Sequence, residues 1–549
     1  MRSIIYVAFE KRSERILEMK KNISLIMLII TVVSAMISFT SCAGGIDDEA
    51  VKIIDVSLTD ENYAFVCKKN NVSLVSDFNA FLLEIESSGE FDEIVAKYFE
   101  GIGEKQGYAV TTGEAVNDAK SFVVATNCPF EPFEYIGDDG MIYGVDIEIA
   151  AAYAESRDLN LVIKNIDFDS IFLQVENGYA DIGMAGITAS EERAKIYSFT
   201  NPYFAASQKL IVSAECTDFD GCKTADEVNA VIASLDGAKV GYQIGTTGGM
   251  YINGDADWGY EGFSNVEGKG YLTGQEAIMD LAGGNIYAVI IDEAPANALL
   301  KANSPWAEKI SLFISTMKSA YFRELLIIGL LNTVKVAVFG LIIGIVIGTI
   351  IAIVKVAPMY SPVMRILDKL ATVYVAIFRG TPMVVQLLLA YYVILPALGV
   401  KGIDALAVGI TVFGLNSGAY VSEIMRGGIN SVDRGQLEAA RALGLSYNVS
   451  MLKVVIPQAI KNILPTLGNE FITLIKETSI LSFITVYDLY TALSTIGSKN
   501  YEKMIPFIVM AVIYIVLVLI ITVMVRAVES YLSKSDKKKE TEKGGKKRG

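Results

Sequence analysis

The sequence predicts an α/β domain followed by an all-α membrane domain, on three observations. From Ser121 to about residue 310, short apolar strands alternate with helical patterns, as expected of a mainly parallel sheet covered by helices. From Leu325 onward the chain holds apolar runs able to cross a bilayer. The charge divides at the same place. Residues 43–321 carry 45 acidic and 17 basic side chains, the rest of the 549 residues carry 17 and 30, and the net charge is −15. An acidic, water-facing part is joined to a basic, apolar part, and the mean hydropathy of +0.42 lies between the two classes.

Composition removes several functions. There is no histidine, so Ser-His-Asp and Cys-His catalysis and His-containing metal sites are excluded. No GxxxxGK[ST] phosphate loop occurs, so an ATP-driven machine containing this chain needs another subunit to bind ATP. The acidity argues against nucleic acid as partner. A transport component is expected rather than an enzyme, with no metal and no cofactor of its own.

At the front, Lys20 and Lys21 precede the apolar run Ile23–Phe39, and Phe39-Thr40-Ser41-Cys42-Ala43-Gly44 follows. Residues 1–42 therefore read as a signal peptide, with 1–18 as an upstream extension. The last piece resembles the lipobox of bacterial lipoproteins, which implies acylation of Cys42; Phe39 departs from the usual Leu, and an uncleaved signal anchor is the alternative. Cys216 and Cys222 are close enough in sequence for a small disulfide loop or are two free thiols, which spacing does not decide.

In the main acidic part, Phe122–Thr126, Leu159–Ile163 and Asp181–Ala185 read as strands. Gly144 to Tyr153 and Phe168 to Glu176 read as helices. Within it stand Pro132-Phe133-Glu134-Tyr135, Gly144-Val145-Asp146, Phe168-Asp169, Ala185-Gly186-Ile187-Thr188, Glu192-Arg193 and Phe199-Thr200-Asn201-Pro202-Tyr203. Val240 to Gly248 and Ala288 to Asp292 come later. This order resembles the family-3 polar amino-acid solute-binding proteins of bacterial importers. The resemblance implies a two-lobed periplasmic-binding-protein type II fold that closes over its ligand by a hinge.

A free amino acid needs a cation for its carboxylate and an anion for its ammonium. Arg193 suits the first through its planar fork. By resemblance, Thr188, Thr246 and the backbone N–H near Gly186 complete that shell. Asp292 takes the ammonium, and Phe130 and Phe168 enclose the side chain. Asn127 and Gln243 stand where relatives vary with side-chain preference. A neutral Asn127 disfavours a purely basic ligand, so a polar amino acid is expected, glutamine or a broad range first.

In this family a return strand and two helices follow the ammonium-binding Asp, but here Glu293 to Ile310 leads toward the membrane. Residues 51–105 resemble the missing tail: Asp60 to Asn71 the strand and its turn, Leu74 to Leu83 and Gly89 to Phe99 the helices. A circular permutation is inferred, with 43–118 as displaced segment plus linker and 119–318 as the two-lobed domain. Permutation is tolerated where termini lie close together at the surface. A remnant of a second binding domain is the alternative.

Residues 319–530 read as five membrane helices: Leu325–Val354, Pro382–Ala397, Ala405–Ile424, about Ile463–Tyr487 and Ile505–Arg526. Lys355, Arg365, Lys369 and Arg379 fall in the first inner loop. Arg426, Arg434, Arg441, Lys453 and Lys461 fall in the second, and residues 531–549 form a basic tail. This bias puts the C-terminus in the cytoplasm and the binding domain outside a bacterial cytoplasmic membrane. In loop 433–460, Glu438-Ala439-Ala440, Gly444 and Ile456-Pro457 resemble the EAA loop of histidine/glutamine-type ABC permeases, which implies docking to an ATP-binding subunit. Phe378 to Leu388, Tyr391-Tyr392 and Lys476-Glu477-Thr478-Ser479 extend the resemblance. Five helices make a thin wall, so a homodimer is expected to line the pathway. The alternative is a ligand-gated ion channel of the bacterial glutamate-receptor type, although no TVGYG-like filter occurs.

Overall fold

The computed structural model describes residues 50–111, 120–300, 306–357, 361–400, 403–500 and 502–545. Cys42 with the whole signal segment, the linker residues 112–119 and residues 546–549 of the basic tail lie outside the described residues.

Two five-stranded sheets form two lobes. In the first lobe the order is Asn160–Asn165, Ser121–Thr126, Ile182–Gly183, Val66–Cys67 and Ser198–Phe199. The first three strands are parallel, and Val66–Cys67 enters antiparallel between the last two. In the second lobe the order is Val51–Ile54, Gln208–Ser213, Ala288–Asp292, Lys239–Gln243 and Glu267–Tyr271. The front segment thus supplies one strand to each sheet. Between the lobes, Glu61–Tyr63 pairs antiparallel with Phe204–Ala206, a two-stranded ribbon at the place where a hinge belongs.

The front segment is also core. Helix Val72–Ser88 buries Phe78, Phe81, Leu82 and Ile85, the i, i+3, i+4, i+7 spacing of one helical face. Gly89 at φ 85 turns the chain into helix Glu90–Phe99. The Phe78 ring lies 4.5 Å from Tyr153 and 6.3 Å from Phe122, so front and main segments share one aromatic core. Glu293–Leu300 and Trp306–Thr316 are helices, an interval the sequence had shown only as a lead into the membrane. The four described cysteines are free thiols.

In the membrane part, three helices are long and apolar enough to cross a bilayer: Ala320–Val356, Ala405–Asn430 and Met504–Ser530. Two bent pairs, Pro362–Gly380 with Met383–Ala397 at 108° and Tyr447–Ile484 with Leu489–Lys499 at 58°, bring the number to as many as five. Pro362–Gly380 is a correction. It was read as part of a loop because Arg365, Lys369 and Arg379 interrupt its apolar residues, but those charges share one face of an amphipathic helix. Ala320–Val356 packs on Ala405–Asn430 through small residues. A Cβ at Gly344 would stand 2.7 Å from Ser417 Oγ, and one at Gly348 2.7 Å from a Val421 methyl, so only glycine permits this approach.

The two parts are packed together. One apolar cluster runs from Ile136, Ile142 and Ile163 of the first lobe to Phe322, Leu325, Tyr487, Leu489 and Leu493 of the membrane part. Gln174 Nε2 donates to Tyr392 Oη at 3.1 Å, and Tyr179 Oη donates to the Tyr391 carbonyl at 2.9 Å.

Candidate functional site

A small cavity of about 20 Å³ lies between the lobes. All nine expected ligand residues line it: Asn127, Phe130, Phe168, Gly186, Thr188, Arg193, Gln243, Thr246 and Asp292, together with Glu134, Ala185 and Thr247. They arrive from strand ends and helix starts of both sheets, which is where open α/β folds present side chains to ligands.

Arg193 sits in the short helix Glu191–Ile196, whose cap Ser190 accepts from the Arg193 N–H. Its Nη1 donates to the Thr188 carbonyl at 2.8 Å and its Nη2 to the Gly245 carbonyl at 2.7 Å. The second bond crosses to the other lobe. The guanidinium lies 5.0 Å from the rings of Phe172 and Trp258. Burial lowers it to about 10, against the pull of Glu61 and Asp292, so it stays cationic at neutral pH. Two of its five N–H donors are used in these bonds.

Asp292 ends strand Ala288–Asp292 and accepts from Tyr63 Oη at 2.6 Å. Burial, then Glu61, pushes its carboxyl up to about 7. Glu61 is 4% exposed. It accepts from Thr188 Oγ1 at 2.6 Å, Thr247 Oγ1 at 2.9 Å and Thr59 Oγ1 at 2.6 Å. Asp146 holds the Gly186 N–H at 3.1 Å and accepts from Tyr203 Oη at 2.5 Å, which fixes the Gly186 loop.

Sequence reasoning missed Glu61, Tyr63 and Thr247, and quoted Glu134 without assigning it chemistry. Glu134 is fully buried, and neither of its carboxylate oxygens has a hydrogen-bond partner. Burial, then Asp146 and Asp292, raises it well above the usual carboxylate range.

The lobes are closed. Gln243 Nε2 donates to Asn127 Oδ1 across the cleft at 3.3 Å. At Gly245, φ 80, a Cβ would meet Asp169 of the other lobe at 1.9 Å, so closure brings backbone against side chain.

On the membrane part, Glu438, Ala439 and Ala440 lie on helix Arg434–Ala442, Gly444 follows at φ 84, and Pro457 sits in the first turn of Ile456–Glu477. Ala440 is buried; Glu438, Ala439, Gly444 and Pro457 are exposed. Leu443 is 83% exposed.

Residues 325–534 match the binding-protein-dependent transport system inner membrane components, and residues 122–325 match the bacterial extracellular solute-binding proteins, family 3. The arginine transport system permease protein ArtQ of Bacillus subtilis (strain 168) is 40% identical over 208 residues, 38% of this chain and 92% of that protein. Among solved structures, the crystal structure of an amino acid ABC transporter with histidines is 40% identical, covers 40% of this chain and 98% of that one, and has a TM-score of 0.37. An ancestral arginine-binding protein bound to arginine is 31% identical, covers 34% of this chain and 75% of that one, and has a TM-score of 0.29.

Proposed function

Because the chain belongs to the binding-protein-dependent transport system inner membrane components and carries a family 3 solute-binding domain ahead of that part, we propose that it traps one amino acid outside the membrane and passes it into its own permease. The observation that carries this reading is the closed cavity holding Arg193 and Asp292, which come from different lobes. The ligand carboxylate takes donors that Arg193 has left, with the Gly186 loop and the hydroxyls of Thr188 and Thr246 around it. The ligand ammonium takes Asp292. Contacts that span both lobes are what let a ligand select the closed form. The ion-channel alternative has no support in this family.

A separate ATP-binding subunit supplies hydrolysis and docks at loop 433–460. Two copies line the pathway. The support is a polar stripe on helix Ile456–Glu477, where Asn462, Thr466, Asn469, Thr473 and Lys476 are exposed on one face. Such a stripe does not face lipid. The trap lies outside and the basic loop 433–460 inside. Five membrane helices are counted by taking each bent pair as one span. Residues 43–118 are read as the displaced tail of a permuted trap with its linker, since their strands complete both sheets, and Cys42 is read as the lipid-bearing residue.

Two ligand readings follow. Asn127 and Gln243 are neutral and favour glutamine or a broad polar range. Glu134 favours a cationic side chain: once Arg193 and Asp292 take the backbone charges, it is a buried carboxylate still without a partner, and such a group demands one. The related ArtQ is an arginine transport permease by name. Calorimetry of the full chain against all twenty amino acids tests both. Binding of none of them ends the trap reading. Binding of arginine or lysine that falls about 10- to 100-fold in Glu134→Gln supports the cationic reading. Unchanged affinity leaves the neutral one.

A further inference from the structure

We propose that Lys503, in the loop ahead of the last membrane helix, is the positioning residue through which the permease reads closure of the trap: its ammonium contacts the second lobe inside a chamber that the first lobe also lines. The inference rests on the trap reading above.

Lys503 Nζ lies 3.9 Å from Glu276 Oε1 and 3.4 Å from Thr273 Oγ1. Both belong to the start of helix Gly274–Ala282 in the second lobe. Asp167, the cap of helix Phe168–Glu176 in the first lobe, shares one chamber with Thr273 and Lys503. Asn127, on the rim of the ligand cavity, lines the same chamber. Lys503 is 2% exposed. Burial pushes the Asp167 carboxyl up and Lys503 draws it down.

The first lobe holds the permease through Lys499 with Asp138 at 2.7 Å, Gln174 with Tyr392, and Tyr179 with Tyr391, and helix Trp306–Thr316, which leads into the membrane, holds it through Asn500 with Thr316 at 2.6 Å and Lys309 with Met504 at 3.5 Å. The apolar cluster at the joint draws on the first lobe and, through Phe313 and Met317, on the stretch that leads into the membrane. The first lobe is therefore anchored whatever the second one does. Ahead of helix Trp306–Thr316, the described second lobe meets the permease at Lys503. When the trap opens with the first lobe held on the permease, Glu276 moves away and the buried ammonium loses the carboxylate it contacts at 3.9 Å. An incompletely paired buried charge is strongly unfavourable, so the docked permease favours the closed trap. By reciprocity, closure of the trap favours the docked arrangement of the loop that holds Lys503.

The test uses the full chain in lipid nanodiscs. Spin labels are placed at the exposed positions Asp92→Cys in the first lobe and Asp226→Cys in the second, in a Cys216→Ser, Cys222→Ser background. Interlobe distances and Kd are measured with each of the twenty amino acids as probe. Lys503→Met is expected to shift the lobes toward the open distance and to weaken the bound amino acid about 10-fold, while Lys503→Arg keeps both. Should Lys503→Met fail to assemble, Glu276→Gln removes the pair from the trap side and carries the same expectation. Wild-type distances and affinity in these variants overturn the inference. A wild type that binds no amino acid overturns the trap reading, and this inference with it.

Discussion

The closed, empty cavity holds Asp292 and Glu61 near the Arg193 guanidinium and leaves Glu134 buried without a hydrogen-bond partner. Asp292 rises to about 7 and Glu134 is raised well above the usual carboxylate range, with burial as the first cause in both. The open cleft exposes these groups to water, where carboxyls titrate near 4. The closed empty form therefore binds more protons than the open one, and by linkage low pH favours closure. At pH 8 the Asp292 carboxylate resists it, and the ammonium of a ligand replaces the missing proton. The expected outcome is a ligand-free trap that closes as pH falls below about 7 and Asp292 takes up its proton, by up to about tenfold in the closed-to-open ratio per pH unit. Interlobe distances against pH check this, and a pH-independent distribution counts against it. Arg193 and Asp292 were legible because each stood inside a quoted motif. Glu61 and Tyr63 were not, because they come from the front segment and act through Thr188, Thr247 and Asp292. No local spacing in the sequence connects residues so far apart.

At the scale of elements, the front segment decides whether the trap exists. Phe78 is fully buried against Phe65, Phe81, Phe122 and Tyr153, two of which belong to the main segment. Phe78→Ala leaves a cavity there and is expected to destabilise the trap by about 3–5 kcal/mol, read as a lower midpoint in urea unfolding of the full chain followed by trap tyrosine signals. An unchanged midpoint shows that 51–105 is an appendage. The sequence reading placed helix Phe168–Glu176 at its observed ends and the strand at 122–126 within one residue, because strong periodicity and flanking caps coincide there. It expected a strand at 181–185, where Ile182–Gly183 alone pairs, since the Val66–Cys67 strand that sets its length lies elsewhere in the chain. The helix Pro362–Gly380 escaped because a sliding apolar run is blind to a face that alternates with Arg365 and Lys369.

At the scale of the whole molecule, the trap contacts and the proposed docking loop 433–460 are separated by a long helix. Tyr391, Tyr392, Lys499 and Lys503 meet the trap. Helix Ala405–Asn430 then separates that end from helix Arg434–Ala442 by about 39 Å of rise. At the far end, Leu443 is 83% exposed and Leu452 is 69% exposed, beside the exposed Glu438 and Ala439. Paired bulky apolar side chains beside a small-residue helix face fit insertion into a partner cleft, where a few buried apolar anchors dominate affinity. Leu443→Asp places a charge at that anchor without touching the trap. It is expected to weaken retention of the ATP-binding subunit by about 2 kcal/mol or more, roughly 30-fold, while Kd for the amino acid stays at the wild-type value. Co-purification from membranes with a tagged chain, alongside calorimetry on the same preparation, separates the two ends. If Leu443→Asp retains the subunit fully, the docking surface lies elsewhere on the inner loops. If it loses the amino acid as well, the change has spread through the helices and the two ends are not independent.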